Sequence, residues 1–282
     1  MRIDLHAHSD ASDGTEDPAG VVTRARAAGL DVVALTDHDT VAGHARAAEA
    51  LPAGLTLVPG IELSCRYEGA SLHLLAYLCD PGDAGLEVEL KRLRDARSGR
   101  GEAMIRKLNE LGVPVTWESV RAIAGEGSLG RPHIARAMVA AGAAADFEEA
   151  MDFLGPGGPA YVTRYALEPE RALELVRAAG GVAVLAHPSR GRRPVPEEYV
   201  AWLTEAGLAG IEVDHPTHDA EERRRWAALA RKLGLVRTGS SDDHGELTGH
   251  RLGCETTSPE AYERLVAGAT GAAPVKDDER DL

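Results

Sequence analysis

Two histidines one residue apart, His6 and His8, close the first apolar run of the chain. Alternate side chains of an extended strand point the same way, so both imidazoles can reach one metal ion. A single His-x-His is usually incidental, but here the pattern recurs. Asp37-His38 follows the second apolar run and Glu62 the third, and His73 lies within the fourth. His187 follows the fifth, His215 the sixth, and Asp242 with His244 the seventh. Apart from His73, whose place along its run is open, these residues stand at the carboxyl ends of predicted strands. In a parallel barrel those ends share one face, the face on which active sites form. Imidazole and carboxylate without thiolate suit Zn, Mn, Fe or Co. The set is too large for one tetrahedral or octahedral ion. It predicts two or three ions close together and bridged by a carboxylate, with Glu62 as the bridge. His73 has a competing role as a packed core histidine.

The elements that must position these groups alternate. Strands are expected at 3–6, 32–36, 55–63 and 72–78. Between the first of them, Asp17 caps and Pro18 opens a helix over 19–28, and Thr40 caps one over 41–51. This β-α-β-α-β order predicts a parallel sheet or barrel. From 85 to 154 the periodicity turns helical, at 86–111, 117–124, 132–141 and 147–154, and reads as a small insertion. Gly155-Pro156-Gly157-Gly158-Pro159 is a hinge back to the main body. Helices at 170–179, 197–206, 220–233 and 259–267 then alternate with strands at 182–186, 210–213 and 235–240. Seven strands give an α/β chain with a distorted (β/α)7 barrel at 1–84 and 159–268. The all-helical insertion occupies 85–158, and a flexible tail is expected at 269–282.

Composition limits what such a face can serve. Of 282 residues, 44% are apolar and 27% charged, which excludes a disordered or fibrous chain. The net charge of −14 lacks the basic face of a general nucleic-acid or membrane binder, so an anionic substrate must be held by local cations or metal. The first residues lack the apolar stretch of a signal peptide, and no run approaches the ~20 apolar residues of a membrane span. Three cysteines, Cys65, Cys79 and Cys254, are too few and scattered for a disulfide framework or a thiolate zinc site, and read as core or strand residues. A soluble cytoplasmic protein is expected.

Several motifs then coincide. Asp4-Leu5-His6-Ala7-His8-Ser9, Ser12-Asp13-Gly14, Leu35-Thr36-Asp37-His38-Asp39, Gly60-Ile61-Glu62, Ala186-His187-Pro188 and Gly239-Ser240-Ser241-Asp242-Asp243-His244 resemble those of the PHP (polymerase and histidinol phosphatase) phosphoesterases. The resemblance runs from residue 1 to about 267. Gly130-Arg131-Pro132-His133, with Gly210-Ile211-Glu212-Val213 ahead of His215-Pro216-Thr217-His218, is similar to one subgroup. Its members act on nucleoside 3′,5′-bisphosphates and short 5′-phosphorylated RNA. The resemblance implies a first ion on His6, His8, Glu62 and Asp242, a second on Glu62, His73 and His187, and a third on Asp13, His38 and His244. Asp13, Glu62, His187 and His244 would be the catalytic groups. Some family members carry His near the position of Asp13, and a carboxylate there is a harder ligand.

The same resemblance implies hydrolysis of nucleotide phosphate esters, a 3′,5′-bisphosphate giving the 5′-monophosphate, by a metal-bridging hydroxide attacking phosphorus in line. Two to three divalent ions are expected, Mn2+ first, with Zn2+ or Fe2+ as the other fits. Three such ions bring about six positive charges against three carboxylates, so the negative net charge is no objection to a small anionic nucleotide or short oligoribonucleotide. Tightly held long nucleic acid, a membrane and an obligate protein partner are not expected. Arg131 and His133 at a helix start make an anion site, or else only open the helix. Arg164, His215 and His218 are further candidate substrate contacts. Asp37 is expected to orient a ligand histidine and Asp243 to serve a turn. Arg190, Arg192 and Arg193 read as a solvated face, His44 and His250 as surface, and 86–110 as a solvent-facing helix pair. The alternatives are a phosphatase of another small metabolite such as histidinol phosphate, an amidohydrolase cutting C–N bonds, and a non-catalytic metal-binding module. The amidohydrolase class typically bridges its metals with a lysine, and none of the four lysines falls at a predicted strand end.

Overall fold

The structure, a computed structural model, describes residues 1–190 and 194–277; Arg192 and Arg193 lie outside them. Seven strands run in the sheet order β1 to β7: Ile3–Asp4, Val32–Leu35, Thr56–Tyr67, Ala70–Tyr77, Val182–Leu185, Gly210–Asp214 and Val236–Gly239. They form a nearly closed α/β barrel sheet. The strands Val32–Leu35 and Val182–Leu185 are buried at every residue, as expected where helices cover one face and a packed interior fills the other. The covering helices are α1 (Pro18–Ala27), α2 (His44–Glu49), α7 (Pro169–Ala178), α8 (Glu197–Glu205), α9 (Ala220–Leu233) and α10 (Pro259–Gly268), while α3 to α6 lie between β4 and β5 in sequence.

One strand departs from the parallel expectation. β4 pairs antiparallel with both β3 and β5. Only Glu68 and Gly69 separate it from β3, and both have positive φ (46° and 80°), the geometry of a two-residue primed hairpin turn. Two residues cannot make a parallel crossover, which needs a dozen or more. The reversal places His73. The early part of β4 lies at the level where the parallel strands end, and the His73 carbonyl accepts the Ala186 amide at 3.1 Å. Glu62 is likewise not at the end of β3. It lies inside a 12-residue strand whose last five residues extend beyond the barrel as one arm of the hairpin.

The segment after β4 is helical throughout: α3 (Ala84–Glu110), α4 (Trp117–Ala124), α5 (Arg131–Ala140) and α6 (Phe147–Leu154). It builds its own apolar cluster from Met104, Leu108, Val120, Ile134, Met138 and Leu154, among others. The expected solvent-facing helix pair is instead one continuous helix of 27 residues. Its first half packs Leu86, Leu90 and Leu93 into the barrel's outer layer, and its second half packs Met104, Ile105 and Leu108 into the helical cluster.

Three smaller expectations are corrected. α2 starts at His44 after Gly43, and the Thr40 hydroxyl instead accepts from the Ala42 amide. Of the tail expected to fray at 269–282, the part up to Lys276 is paired: the Thr270 amide donates to Gly180, Ala272 to Leu78, and Val275–Lys276 forms a short strand β8 on β3, while 278–282 lie outside the described residues. Cys254 is exposed, whereas Cys65 and Cys79 are buried. Among the described residues no helix is long and apolar enough to cross a membrane.

Candidate metal centre

Backbone hydrogen bonds set the ligands before any side chain meets another. At the end of β1 the Asp4 carboxylate accepts the amides of His6 (3.3 Å), Ser241 (3.0 Å) and Gly253 (2.8 Å), holding the first segment against the loop that carries Asp242 and His244. His6 and His8 are buried, with their Nε2 atoms 3.1 Å apart, as the strand alternation requires. His38 forms an isolated parallel bridge with Glu62, and the Asp39 amide donates to the Glu62 carbonyl at 3.1 Å.

Five imidazoles converge on Glu62. Its Oε2 lies 3.1 Å from His38 Nδ1, 3.2 Å from His8 Nε2 and 3.3 Å from His6 Nε2. Its Oε1 lies 2.6 Å from His73 Nδ1 and 3.0 Å from His187 Nε2. Asp242 Oδ1 is 3.3 Å from His6 Nε2, 3.4 Å from His8 Nε2 and 3.6 Å from His244 Nδ1. Asp13 reaches His244 Nε2 at 3.4 Å and His38 Nε2 at 3.7 Å. A carboxylate oxygen has two lone pairs and cannot accept from three nitrogens at once. His38 Nδ1, His73 Nδ1 and Asp242 Oδ1 are buried and have no hydrogen-bond partner among the described residues. Buried polar atoms are normally bonded, and divalent ions among these donors would satisfy all of them. The donor set therefore fits metal. Three groups have ligand atoms within 4.8 Å of one another: His6, His8, Glu62 and Asp242; His38, Glu62 and His73; and His8, Asp13, His38 and His244. The first brings together the four residues expected for the first ion. The second has His38 where His187 was expected, with His187 on the same Glu62 oxygen as His73. The third gains His8.

The electrostatics favour cations here. Burial pushes the carboxyls of Glu62, Asp13 and Asp242 up, but the surrounding imidazoles outweigh it and hold all three well below the usual range. Burial pushes His38 down, and His187 to about 4, which leaves their ligand lone pairs free. At His6 and His8 burial acts the same way, yet Asp242 and Glu62 pull both up. The carboxylates thus draw positive charge into the centre of the cluster.

The helical segment abuts this cluster. The Ser128 amide donates to the Ala11 carbonyl at 2.9 Å, and a Cβ on Gly130 would stand 3.2 Å from Asp13 Oδ2, so the amino end of α5 rests on Asp13. His133 Nδ1 accepts the Gly130 amide at 3.0 Å, which leaves the proton on Nε2. Arg131, half-buried, makes no hydrogen bond or ion pair among the described residues, and burial followed by the charge of Arg190 pushes its pKa down. Arg164 is committed to the protein, donating to Ser64 Oγ (2.7 Å) and the Tyr165 carbonyl (3.1 Å). His215 Nε2 lies 3.4 Å from Asp242 Oδ2, at the rim of the ligand cluster. His218 donates through Nδ1 to the Val213 carbonyl at 2.9 Å, and its buried Nε2 is unpartnered.

Comparison with known proteins agrees with this geometry. The PHP domain family matches residues 4–115. The chain is 34% identical to a 3′,5′-nucleoside bisphosphate phosphatase of Chromobacterium violaceum, over 88% of this chain and 89% of that one. It is 33% identical to a 5′-3′ exoribonuclease of Haemophilus influenzae, over 86% and 90%. A crystal structure from Bifidobacterium adolescentis, described as a candidate metal-dependent phosphoesterase, superposes with a TM-score of 0.89 at 34% identity, over 95% and 96% of the two chains. This chain belongs to the PHP family. It is a metal-dependent phosphoric ester hydrolase with a cluster of His, Asp and Glu residues that could bind metal ions.

Sequence reasoning missed several groups that support this PHP site. Glu212 is fully buried. Its Oε1 lies 3.2 Å from His6 Nδ1 and its Oε2 accepts the His187 amide at 2.8 Å, with the Ser240 hydroxyl bonded to the same carboxylate. A carboxylate on the far nitrogen of a ligand histidine fixes its tautomer and ring orientation. The His187 grip matters because His187, like Asp242, has a left-handed backbone (φ 25° and 49°). Arg190, expected to be solvated, donates to Asp242 Oδ2 at 2.9 Å. Asp37 is no ligand. It accepts from Ser12 Oγ at 2.6 Å, and that hydroxyl lies 3.4 Å from His8 Nδ1. Asp243 accepts from Gly245, Thr248 and Arg251 and closes a turn as expected. His44, expected at the surface, is half-buried and donates to the Gly60 carbonyl at 2.8 Å; His250 is exposed.

Proposed function

We propose that this PHP enzyme removes the 3′-phosphate of nucleoside 3′,5′-bisphosphates, leaving the 5′-monophosphate, and cuts short 5′-phosphorylated RNA at the same position. In both substrates the bond broken joins phosphorus to the 3′ oxygen of a nucleotide that carries a 5′-phosphate. The observation that carries the reading is the meeting of two features at Asp13: a cluster of candidate ligands for a reacting phosphoryl group, and a helix amino end whose Arg131 has no partner among the described residues. Such an end offers amide groups and a positive dipole to an anion, and Arg adds a forked donor.

In this reading His6, His8, Glu62 and Asp242 hold one ion. Glu62, His73 and His187 would hold a second, and Asp13, His38 and His244 a third. Mn2+ is the first choice, with Zn2+ or Fe2+ as the other fits. When bound, the ions supply Lewis-acid charge to the phosphoryl oxygens and lower the pKa of water. The chain's own residues do the rest. Glu62 gathers the ligands. Glu212 fixes the ring of His6 and the backbone of His187. Arg131 and the Nε2–H of His133 bind the phosphate that is not cleaved. His215 and His218 lie at the cluster's rim and orient the nucleotide. The helical segment 85–158 acts as a substrate-reading unit on the barrel formed by 1–84 and 159–268. The lysine bridge typical of C–N hydrolases has no counterpart here: Lys91 and Lys107 lie in α3, Lys232 in α9, and Lys276 pairs with Thr56 at the start of β3.

A nucleotide screen with released phosphate as readout tests the proposal. It should include a 3′,5′-bisphosphate, histidinol phosphate and a panel of amides. The 3′,5′-bisphosphate should give the highest kcat/KM; a preference for another phosphate ester, or for amides, would sink the assignment.

A further inference from the structure

Asp39 and Ser64 stand just outside the ligand set, one residue after His38 and two after Glu62. They are locked together. The Asp39 carboxylate accepts the Ser64 amide at 2.8 Å and the Ser64 hydroxyl at 2.7 Å, and the Asp39 amide binds the Glu62 carbonyl. Both side chains are buried, and Asp39 holds a left-handed backbone, φ 56°. A non-glycine residue keeps that conformation only when its surroundings over-determine it.

The helical segment supplies the missing constraint. Arg97 is only 7% exposed, in the middle of α3, where the helix passes from the barrel's outer core to the helical cluster. Its Nε lies 2.6 Å from Asp39 Oδ2 and its Nη2 2.8 Å from Ser64 Oγ. One turn earlier, Arg94 donates to the Asp39 carbonyl at 2.9 Å. On the return path Arg164 donates to the same Ser64 hydroxyl at 2.7 Å. That hydroxyl has one proton and two lone pairs. The proton goes to Asp39 and the lone pairs to Arg97 and Arg164, so its capacity is full. Chain entering the helical segment and chain leaving it are thus clamped to one post on the ligand-bearing strand.

We infer that Arg97 is a positioning residue that couples the helical segment to the metal ligands His38 and Glu62, with Arg164 as its second arm. This rests on the metal reading of the site given above. Without Arg97 the buried Asp39 carboxylate loses its ion pair, and nothing else from α3 holds that side chain. The loop that carries His38 then loses its register on Glu62, and the cluster binds ions less tightly. The geometry also gives Arg164 a structural role in place of the direct substrate contact expected from the sequence.

The test is a Mn2+ titration of chelator-stripped protein, read by calorimetry or by the free-Mn2+ resonance signal, beside a thermal melt. Arg97→Met should weaken the tightest-coupled ion by about 10–100-fold, the range for groups that orient metal ligands. Arg97→Lys should recover part of the loss, because an ammonium can reach Asp39 but cannot fork to Ser64 as well. Should Arg97→Met not fold, Ser64→Ala removes the shared hydroxyl and keeps the ion pair, and about tenfold weaker binding is expected. A folded Arg97→Met or Ser64→Ala that binds Mn2+ with wild-type affinity overturns the inference, even where its melting temperature falls. Wild-type protein that binds no Mn2+ overturns the metal reading and this inference with it.

Discussion

Arg131→Ala separates reading the substrate from holding the fold. Arg131 opens α5, where its backbone amide needs no intrahelical partner, and its guanidinium makes no hydrogen bond or ion pair among the described residues. Alanine is the best helix former, so the change should alter stability by no more than about 0.5 kcal/mol. On a nucleoside 3′,5′-bisphosphate it removes one charged hydrogen bond, worth about 1.5–3 kcal/mol. At ~1.36 kcal/mol per factor of ten, kcat/KM should fall by about 10–150-fold. A small aryl phosphate has no second phosphate, so its hydrolysis should change only a few-fold. The assay is kcat/KM on adenosine 3′,5′-bisphosphate and on the aryl phosphate for both proteins. Equal losses on the two substrates would refute the reasoning and reduce Arg131 to a residue that opens a helix.

Four further outcomes follow from named contacts. Glu62→Gln keeps the shape but removes the charge on which five imidazoles converge, so kcat should fall by roughly 10³-fold, about 4 kcal/mol. His187→Ala should do similar damage, and either variant keeping a tenth of the activity with full metal would contradict the ligand assignment. Glu212→Gln weakens the hold on His6 and on the His187 amide, and metal affinity by titration should drop about 10–100-fold. Gly127→Ala drives a Cβ into the backbone carbonyl oxygen of Asp10; chemical denaturation should show a loss of about 1–3 kcal/mol, and an unchanged midpoint would mean the contact relaxes freely.

Most of the candidate cluster is legible in the sequence because its signal is local. Each of His6, His8, His38, His187, Asp242 and His244 follows an apolar run, and short parallel strands end together on one face. His73 could not be placed because its position depends on strand direction. The deciding signal was the two-residue gap at Glu68-Gly69, hidden because the third strand runs to Tyr67, four residues past the expected end. Arg97 left no local trace. In a helix dense with Arg and Glu a buried arginine looks like its exposed neighbours, and only the long-range approach of Asp39 sets it apart. Asp39 and Glu212 stood within the recognised motifs, but their roles lie in hydrogen bonds to residues 25 or more positions away. The first part of the tail, up to Lys276, differs for the reverse reason: its Ala and Gly composition suggests fraying, yet backbone pairing with Leu78, Gly180 and β3 needs no apolar side chain.

The central claim is tested most directly by the product formed from one substrate. Chelator-stripped protein is mixed with adenosine 3′,5′-bisphosphate, with and without Mn2+, and the products are separated by chromatography. The account predicts adenosine 5′-monophosphate and one equivalent of phosphate with Mn2+, and no turnover without it. Adenosine 3′-monophosphate as the product, or equal turnover in the absence of metal, would contradict it.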